Sequence, residues 1–362
     1  MDTMKAVRIE SCGDVDVLTF DDYPMPEMGE HDLLVKVMST AVSGWDIKYR
    51  NGSLMKKTQN RPILPGRKAY PLPQQLGREA AGEVVAVGNQ VTLFTPGDRV
   101  LGLVHPEKVG DLDAIRGFGN LSKGLDYPGH VMAGGNAQFV SRPENYWFKL
   151  PESVSYEDAA AGAWSYPTSH RIIIDRCRVS VGDTILITGT TGGMGSAAMQ
   201  WAQLAGARVI ATSRSETKRQ TLLDNGADLV IDPTQPEEAC QSVMNFTRQQ
   251  GVEHVIEFTG NEALQKLAYD VLRLGGTICP VGGDMSQQGM PWGVMDLVAK
   301  EATILGIRGS RLNDQRIYLE MLAAGKIRPV IGKVLPLSEI RQAHQLVEEN
   351  RAVGKVMLDP WL

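Results

Sequence analysis

The chain has 362 residues, 43% hydrophobic and 22% charged, and its 37 Lys+Arg against 42 Asp+Glu give a formal net charge of −5. This length predicts about two domains, and the mild acidity argues against a general nucleic-acid or membrane-surface binder. The 38 glycines and 19 prolines are ordinary for an α/β protein and exclude a disordered or collagen-like chain.

The four cysteines, Cys12, Cys177, Cys240 and Cys279, lie far apart. A CxxC metal knuckle is therefore missing and a disulfide framework is not expected. Residues 1–7 lack the apolar core of a signal peptide, and no run of about 18 apolar residues occurs, so we expect no membrane partner. These features predict a cytoplasmic protein, but they do not indicate which activity it has.

Short strands are predicted in the first 150 residues. Clusters of Gly, Pro and Asp separate β-branched or alternating runs, which predict strands over residues 4–9, 33–38, 82–87, 99–104 and 136–140. A helix is predicted after Ser155, because Ser155 can cap it and Glu157 and Asp158 then lie in its first turn.

From residue 165 onward, apolar strands alternate with helix-length segments. The strands are predicted over 184–188, 208–212, 229–232, 255–258 and 277–281, and the helices over 196–204, 216–225, 236–250 and 261–274. Repeated βα units of this size predict a parallel sheet with helices on both faces. After residue 306 the pattern is mixed, and it ends in a predicted helix over 337–349 and a strand over 355–358.

A glycine turn joins the first of these strands to its helix, although Thr190 stands where G-x-G-x-x-G has its first glycine. Gly192 would let the backbone approach a pyrophosphate at the helix N-terminus, and Gly195 would let that helix pack on the strand. The strand–turn–helix context favours a dinucleotide site over a tight turn without a ligand. The predicted contacts are Gly189, Thr191, Gly192, Gly193, Met194 and Gly195.

The end of the next strand predicts which dinucleotide binds. NAD sites usually place an acid there for the ribose hydroxyls, but this chain has Ser213 and Arg214, followed by Lys218. A carboxylate would repel a 2′-phosphate, whereas a hydroxyl and a guanidinium bind it. These three residues therefore predict NADP(H), the alternative being that Arg214 and Lys218 are solvated charges at a helix start.

Five segments carry a family resemblance. They are Gly77-Arg-Glu79-Ala-Ala-Gly82-Glu-Val-Val-Ala-Val-Gly88, Pro96-Gly-Asp98-Arg-Val100, Gly134-Gly-Asn-Ala-Gln-Phe139, residues 150–160, and Val353-Gly-Lys355-Val-Met-Leu358. In this order they resemble the GHExxGxVxxVG, pGDrV, GgfAey, lPdgvsfeeAA and GKvvl segments of the medium-chain dehydrogenase/reductase superfamily, the group of alcohol dehydrogenases and quinone reductases. The resemblance covers nearly the whole chain.

The resemblance implies an α/β protein with two domains. A GroES-like β-rich catalytic domain would comprise residues 1–164 and 306–362, and a Rossmann domain with a doubly wound parallel sheet would comprise residues 165–305 and bind NADP. The substrate would lie between them, and a homodimer or higher homo-oligomer would form through the sheet edge near residues 277–292. The turns that resemble the family's later cofactor contacts contain Phe258, Thr259, Gly260, Val281, Gly282 and Gly283.

The chain departs from the family at the catalytic metal. Zinc alcohol dehydrogenases of the family use a Cys, the His of GHE and a later Cys or Asp, whereas the matching positions here are Ser43, Arg78 and, within one residue, Trp164 or Ser165. None of these is a credible zinc ligand, and a guanidinium would repel the metal. The sequence therefore resembles the zinc-free branch of quinone and enoyl reductases.

The stretch that matches the family's structural zinc lobe, residues 101–133, contains no cysteine. Its two histidines, His105 and His130, are interpreted as core or surface residues rather than metal ligands. We therefore predict no metal at either place.

Loss of zinc removes the Lewis acid that polarises a carbonyl oxygen. Hydride transfer then suits a conjugated C=C bond or a quinone, because the developing charge reaches an oxygen that hydrogen-bond donors can stabilise. We predict a zinc-independent, NADPH-dependent oxidoreductase acting on such a small molecule. Two alternatives remain, a zinc-free ketone or aldehyde reductase and a weakly catalytic NADPH-binding sensor or structural protein.

Residues 42–50 and 164–170 resemble active-site segments of the family, in which Thr168 matches a threonine that contacts the nicotinamide region. Asp46 matches an acid beside the metal, and we expect Asp46 or Glu79 to pair with Arg78, because a lone buried guanidinium would be costly. The candidate catalytic residues, each with packing or a surface role as the alternative, are Ser43, Asp46, Lys48, Tyr49, Arg78, Tyr166 and Thr168.

A basic stretch runs from Lys48 to Arg78, with eight positive charges and no Asp or Glu. It connects two of the presumed active-site segments. It is interpreted either as a positive rim that steers an anionic substrate, such as an acyl-CoA or a carboxylate, or as a solvated loop.

Overall fold

The computed structural model describes residues 2–54, 70–283 and 289–362. The chain divides into two units: unit 1 comprises Met1–Pro167 and Gly309–Leu362, and unit 2 comprises Thr168–Arg308. Both boundaries lie slightly beyond the positions that the sequence suggests. Among the described residues, no helix is long and apolar enough to cross a membrane.

The first part of unit 1 consists mainly of strands. They are β1 (Thr3–Ile9), β2 (Thr19–Pro24), β3 (Asp32–Val42), β4 (Gln74–Gln75), β5 (Ala80–Val87), β6 (Arg99–Gly102), β7 (Phe139–Pro143) and β8 (Trp147–Lys149). The helices are α1 (Gly44–Arg50), α2 (Leu112–Ile115), α3 (Tyr156–Gly162) and α4 (Ser165–His170). Ser155 caps α3 as the sequence predicts, since its hydroxyl accepts the Asp158 N–H at 3.0 Å.

Unit 2 begins within α4, which a π-helical turn, Arg171–Arg176, continues. Its strands are β9 (Thr184–Ile187), β10 (Arg208–Thr212), β11 (Leu229–Ile231), β12 (Val252–Glu257), β13 (Leu272–Pro280) and β14 (Thr303–Ile304). Its helices are α5 (Gly193–Leu204), α6 (Glu216–Asp224), α7 (Pro236–Phe246), α8 (Glu262–Asp270) and α9 (Val294–Lys300). Two predicted helix ends were too late. α7 ends at Phe246 rather than at residue 250, and α8 ends at Asp270, because Leu272 already pairs with Val252 in the sheet.

The sheet of unit 2 has the strand order β11-β10-β9-β12-β13-β14, and all its pairings are parallel. The hydrophobic core of this sheet includes residues of its central strands that are fully buried, such as Leu186, Val255 and Ile278. The order reverses between β9 and β12, and ligands of such sheets bind at the carboxyl ends of the strands beside this reversal. The predicted α/β fold with a doubly wound parallel sheet is confirmed.

The chain then returns to unit 1 with α10 (Leu312–Ala323), β15 (Ile331–Pro336), α11 (Ile340–Glu348) and β16 (Lys355–Asp359). β16 pairs with β3 in a seven-stranded sheet, β15-β16-β3-β5-β6-β8, in which β7 also pairs with β3. A smaller sheet has the order β2-β1-β4. Unit 1 is therefore a β-rich domain built from both ends of the chain.

A buried ion pair joins β16 to the segment that precedes β5. The Lys355 ammonium contacts the Glu79 carboxylate directly, and the same carboxylate accepts the Trp164 N–H at 3.2 Å. Burial raises the pKa of Glu79, and Lys355 opposes that shift. Because breaking such a pair leaves a buried charge without a partner, the contact fixes three distant segments of unit 1 around residue 79.

Candidate active site

The glycine turn lies between β9 and α5, where the sequence predicts a dinucleotide. Gly189 has a positive φ of 65°, and a Cβ on Gly195 would lie 2.3 Å from the Gly189 carbonyl oxygen, so the turn itself requires both glycines. A Cβ on Gly192 would meet only that oxygen, at 3.6 Å, which is ordinary contact. The described protein therefore leaves open the space in front of the α5 N-terminus, which a side chain would fill and a pyrophosphate fits.

The turn is also exposed on this side. Gly192 is exposed, and Thr191, Gly193 and Met194 are partly exposed, while Gly195 is buried under the helix. The structure thus brings together all six residues predicted for the pyrophosphate.

Thr190 explains how the turn forms without the first glycine of the motif. Its hydroxyl donates to the Ile187 carbonyl at 2.7 Å and accepts the Thr212 N–H at 3.1 Å. The Gly189 N–H in turn donates to the Thr212 hydroxyl at 3.2 Å. Since Thr190 is fully buried, these bonds fasten the turn to β10 and satisfy the threonine's polar atom.

Glu257, at the end of β12, is a residue that the sequence analysis missed. Its buried carboxylate accepts the Thr188 hydroxyl at 2.9 Å, the Thr259 N–H at 2.7 Å and the Gly260 N–H at 2.9 Å, and it also accepts the Thr259 hydroxyl. The signal in the sequence was an acid within the predicted strand over 255–258, whose other residues are apolar. Glu257 shapes the turn that contains Phe258, Thr259 and Gly260.

The following turn, with Val281, Gly282 and Gly283, packs directly on that one. The Val281 and Gly282 N–H groups donate to the Glu257 carbonyl at 2.8 Å and 2.9 Å. A Cβ on Gly282 would lie 2.2 Å from the Phe258 carbonyl oxygen, and one on Gly260 would lie 2.4 Å from Gly283 Cα. The two turns therefore meet backbone to backbone at the carboxyl end of the sheet.

The residues predicted for a 2′-phosphate follow β10. Ser213 is buried, Arg214 is exposed and Lys218 is partly exposed, its N–H donating to Ser215 at the cap of α6. Arg219 instead pairs with Asp232 at 2.8 Å. Hydrogen bonds from Thr234, and then Arg219, lower the pKa of Asp232. Arg214 has no ion pair in the part of the chain that the structure describes.

In unit 1, Ser43 and Asp46 form the capping box at the N-terminus of α1. The Ser43 N–H and hydroxyl donate to Asp46 Oδ2 at 2.9 Å and 2.6 Å, and the Asp46 N–H donates to Ser43 Oγ at 3.3 Å. The Gly77 N–H donates to Asp46 Oδ1 at 3.2 Å. Asp46 thereby connects α1 to the segment that carries Arg78. Glu79, the other acid expected to pair with Arg78, forms an ion pair with Lys355.

Arg78 is packed between aromatic rings. Its guanidinium carbon lies 3.8 Å from the Trp164 ring centroid and 4.9 Å from that of Tyr127, and its Nη2 donates to the Val104 carbonyl at 3.1 Å. Arg78 is only 3% exposed, and such contacts stabilise a desolvated cation by about 2 kcal/mol. Arg78, which matches the family's zinc-binding histidine, therefore packs on Trp164, one of the two residues that match the third ligand position.

Trp164 also stacks on Trp45, with ring centroids 5.9 Å apart and planes inclined by 17°. Both indoles are partly exposed. The ammonium of Lys48, also partly exposed, lies 5.5 Å from the Trp45 ring centroid. Unit 1 thus presents a partly exposed pair of stacked indoles, with Arg78 against one of them.

The two candidate tyrosines bond to the backbone. The buried Tyr49 hydroxyl donates to the Pro71 carbonyl at 2.5 Å, and burial raises its pKa, which makes it a weaker acid. The buried Tyr166 hydroxyl donates to the Arg328 carbonyl at 2.8 Å, and its ring stacks on Tyr318. These contacts favour the packing role for both over proton donation.

Of the basic stretch, Lys48, Arg50 and Arg78 are described, and Lys56, Lys57, Arg61, Arg67 and Lys68 lie outside the described residues. Arg50 is buried and pairs with Glu348 at 2.9 Å. Since Arg78 is buried too, two of the three described charges are internal rather than at a rim, which corrects the prediction for them.

The two histidines of residues 101–133 are core residues. His105 is 6% exposed and its Nδ1 lies 3.2 Å from the Ser310 hydroxyl, and His130 is fully buried beside the Tyr49 and Tyr70 rings. Across residues 2–54, 70–283 and 289–362, no group of three or more His, Cys, Asp or Glu is placed to hold a metal ion.

Comparison with known proteins assigns the family. The model of the alcohol dehydrogenase GroES-like domain matches residues 29–152, and that of zinc-binding dehydrogenase matches residues 193–324. The crystal structure of AibC superposes with a TM-score of 0.87 at 30% identity, covering 99% of this chain and 96% of that one. This chain belongs to the medium-chain dehydrogenase/reductase superfamily.

Two other relatives of this medium-chain protein bear activity names. The quinone oxidoreductase of Homo sapiens is 27% identical over 363 residues, which cover 98% of this chain and 97% of that protein. The NAD-dependent alcohol dehydrogenase of Sulfolobus acidocaldarius is 29% identical over 369 residues, with coverage of 98% and 99%. The protein is a medium-chain oxidoreductase that uses a nicotinamide cofactor.

The glycine turn of this oxidoreductase yields a prediction with a matched pair of variants. Gly192→Ala should leave the melting temperature unchanged but weaken dinucleotide binding at least about tenfold, because the new methyl group fills the space for the pyrophosphate. Gly195→Ala should lower the melting temperature, because its Cβ would collide with the Gly189 backbone. Calorimetry and cofactor titration measure both effects, and equal cofactor affinity in Gly192→Ala and the wild type would contradict the assignment.

Proposed function

We propose that this oxidoreductase uses NADPH to reduce a conjugated C=C bond, in an enone or enoyl compound, or a quinone, and that it does so without zinc. The observation that carries the proposal is Arg78, a buried cation packed on Trp164 at the position that matches the family's zinc-binding histidine. A guanidinium has no lone pair to give a metal and stays charged at any working pH.

The neighbouring positions offer a metal no better ligands. Ser43, at the first ligand position, donates its hydroxyl to Asp46. The third position matches either Trp164, an indole with no acceptor nitrogen, or Ser165, which offers only a neutral hydroxyl. Zinc prefers thiolate, imidazole and carboxylate ligands. A substrate oxygen here is therefore not polarised by a Lewis acid, and the substrate must delocalise the charge that hydride addition creates.

The exposed surface of unit 1 supports a flat, conjugated acceptor. The partly exposed Trp45 and Trp164 rings provide aromatic surface, and aromatic rings pack favourably against an extended π system. The name of the human relative, quinone oxidoreductase, agrees with this class of substrate. The Sulfolobus relative is named an alcohol dehydrogenase. Reduction of a ketone or aldehyde is therefore the alternative outcome of the acceptor test described below.

The residues of unit 2 fit a bound NADPH. The open space at Gly192 suits the pyrophosphate, and Thr168 has a buried hydroxyl with no partner among the described residues. Ser213 and the exposed Arg214 follow β10 where a 2′-phosphate would lie. When bound, the dihydronicotinamide supplies a hydride to the substrate, and the protein's part is to hold and orient both molecules.

NADPH oxidation with three acceptors tests the proposed reaction. We expect turnover with 1,4-naphthoquinone and with 2-cyclohexen-1-one, and little with benzaldehyde, because only the first two delocalise the added charge. Turnover with benzaldehyde alone would favour the ketone or aldehyde reductase. Tight NADPH binding without turnover on any of the three would favour the sensor or structural protein, and either result would overturn the proposal.

Arg214→Ala tests the choice of cofactor. Loss of one charge-assisted hydrogen bond to a phosphate weakens binding by about 1.5–3 kcal/mol, so the dissociation constant for NADPH should rise at least tenfold while that for NADH changes little. Cofactor fluorescence titration measures both constants. Arg316→Ala, which removes an equally exposed arginine from α10 in unit 1, is the matched control. Equal losses for NADPH and NADH would contradict the assignment.

A further inference from the structure

Two hydroxyl groups on α4 are buried and find no partner in the described parts of the chain. Ser165 and Thr168 are each 4% exposed, and neither Ser165 Oγ nor Thr168 Oγ1 has a hydrogen-bond partner among the described residues. A buried polar atom left unsatisfied costs about 1–3 kcal/mol, and such groups are rare in native structures. Their persistence indicates that a bound molecule supplies the missing partners.

The two hydroxyls lie on the same side of one helix, because residues three apart in a helix are neighbours on its surface. The end of α4 is fastened to the glycine-turn helix α5: Ser169 donates to the Met194 carbonyl at 3.2 Å, and the His170 ring packs edge-on against Trp201 at 4.8 Å. Thr168 is therefore held next to the first turn of α5, and Ser165 lies one helical turn before it.

The other candidate hydroxyl donors named above for unit 1 are already committed. Tyr49 and Tyr166 donate to backbone carbonyls, and Ser43 donates to Asp46. Ser165, by contrast, directly follows Trp164 in the chain, and the Trp164 ring belongs to the stacked indole pair beside Arg78. The backbone thus holds a donor that needs an acceptor next to a residue of the proposed substrate surface.

We propose that Ser165 Oγ donates a hydrogen bond to the carbonyl oxygen of the substrate, where negative charge develops during reduction. The proposal rests on the function proposed above. A hydroxyl is a neutral donor, so it selects an uncharged ketone, thioester or quinone carbonyl, whereas a carboxylate is ordinarily bound by charged donors such as arginine. Ser165, which the sequence offers only as one of two matches to a metal-ligand position, would then be a catalytic residue.

The step balances without proton loss from Ser165. For an enone, the β-carbon of the substrate gains the hydride, a C–H bond forms, and the C=C electrons move through the conjugated system to the carbonyl oxygen. The substrate is reduced by two electrons, and NADPH is oxidised to NADP⁺. Ser165 keeps its proton and stabilises the oxyanion of the resulting enolate, and water then supplies the proton that completes the saturated ketone.

Ser165→Ala tests this assignment with activity and stability together. Removal of one oxyanion donor lowers kcat by about 100-fold in comparable sites, so we expect that loss in kcat/KM for 2-cyclohexen-1-one, with NADPH affinity unchanged. The melting temperature of the cofactor-free protein should stay the same or rise, because an unsatisfied buried hydroxyl is removed. Ser165→Thr, which keeps the hydroxyl, should retain most of the activity.

Ser141→Ala is the control variant, because it removes a serine hydroxyl of unit 1 that already donates to Asp32, at 3.3 Å, and it should keep wild-type kcat/KM. Wild-type kcat/KM in Ser165→Ala would overturn the assignment while leaving the proposed function intact. A fall in activity with a matching fall in melting temperature would overturn it too, as the mark of a structural role.

If the wild type reduces none of the acceptors, the proposed function fails, and Ser165 is judged on binding alone. Quenching of tryptophan fluorescence by cyclohexanone, added to the NADP⁺ complex, then gives the affinity for a carbonyl ligand. Weaker cyclohexanone binding by Ser165→Ala than by the wild type would support the hydrogen bond. Equal binding, or no binding by either protein, would overturn it.

Discussion

The contact between the Arg78 guanidinium and the Trp164 ring, 3.8 Å apart, is the interaction on which the account of this site depends. It places a fixed positive charge, already desolvated and packed, at a position where relatives of the zinc type hold a metal. Around it, Asp46 accepts the Gly77 N–H, and Glu79 pairs with Lys355. These contacts support the proposal that side chains rather than a metal organise the site.

A few buried side chains likewise organise the proposed dinucleotide site of unit 2. Thr190 replaces a glycine and fastens the turn to β10 through its hydroxyl. Glu257 collects donors from two neighbouring turns, so one buried carboxylate organises the carboxyl end of the sheet. The space before Gly192 is open, and the Thr168 hydroxyl has no hydrogen-bond partner among the described residues. We propose that a nicotinamide dinucleotide makes its contacts at these two places.

The sequence could predict the parallel sheet and the glycine turn because both depend on local pattern: apolar strands at regular spacing, and glycines between a strand and a helix. Helix α10 was not predicted, because two polar residues interrupt its apolar stripe. These residues, Asp314 and Gln315, are both fully buried. The surroundings of Arg78 could not be predicted from the sequence for another reason. Its partners Trp164 and Tyr127 are distant along the chain, and only the fold brings them together. For the same reason, nothing near Tyr49 in the sequence shows that its hydroxyl meets the Pro71 carbonyl.

The central claim is that this reductase works with Arg78 in place of a metal. Elemental analysis of the purified, active protein, before and after dialysis against EDTA, tests it most directly. The account predicts well under about 0.1 zinc per chain and an unchanged rate of NADPH oxidation after dialysis. About one zinc per chain, with activity that EDTA removes and added zinc restores, would contradict it.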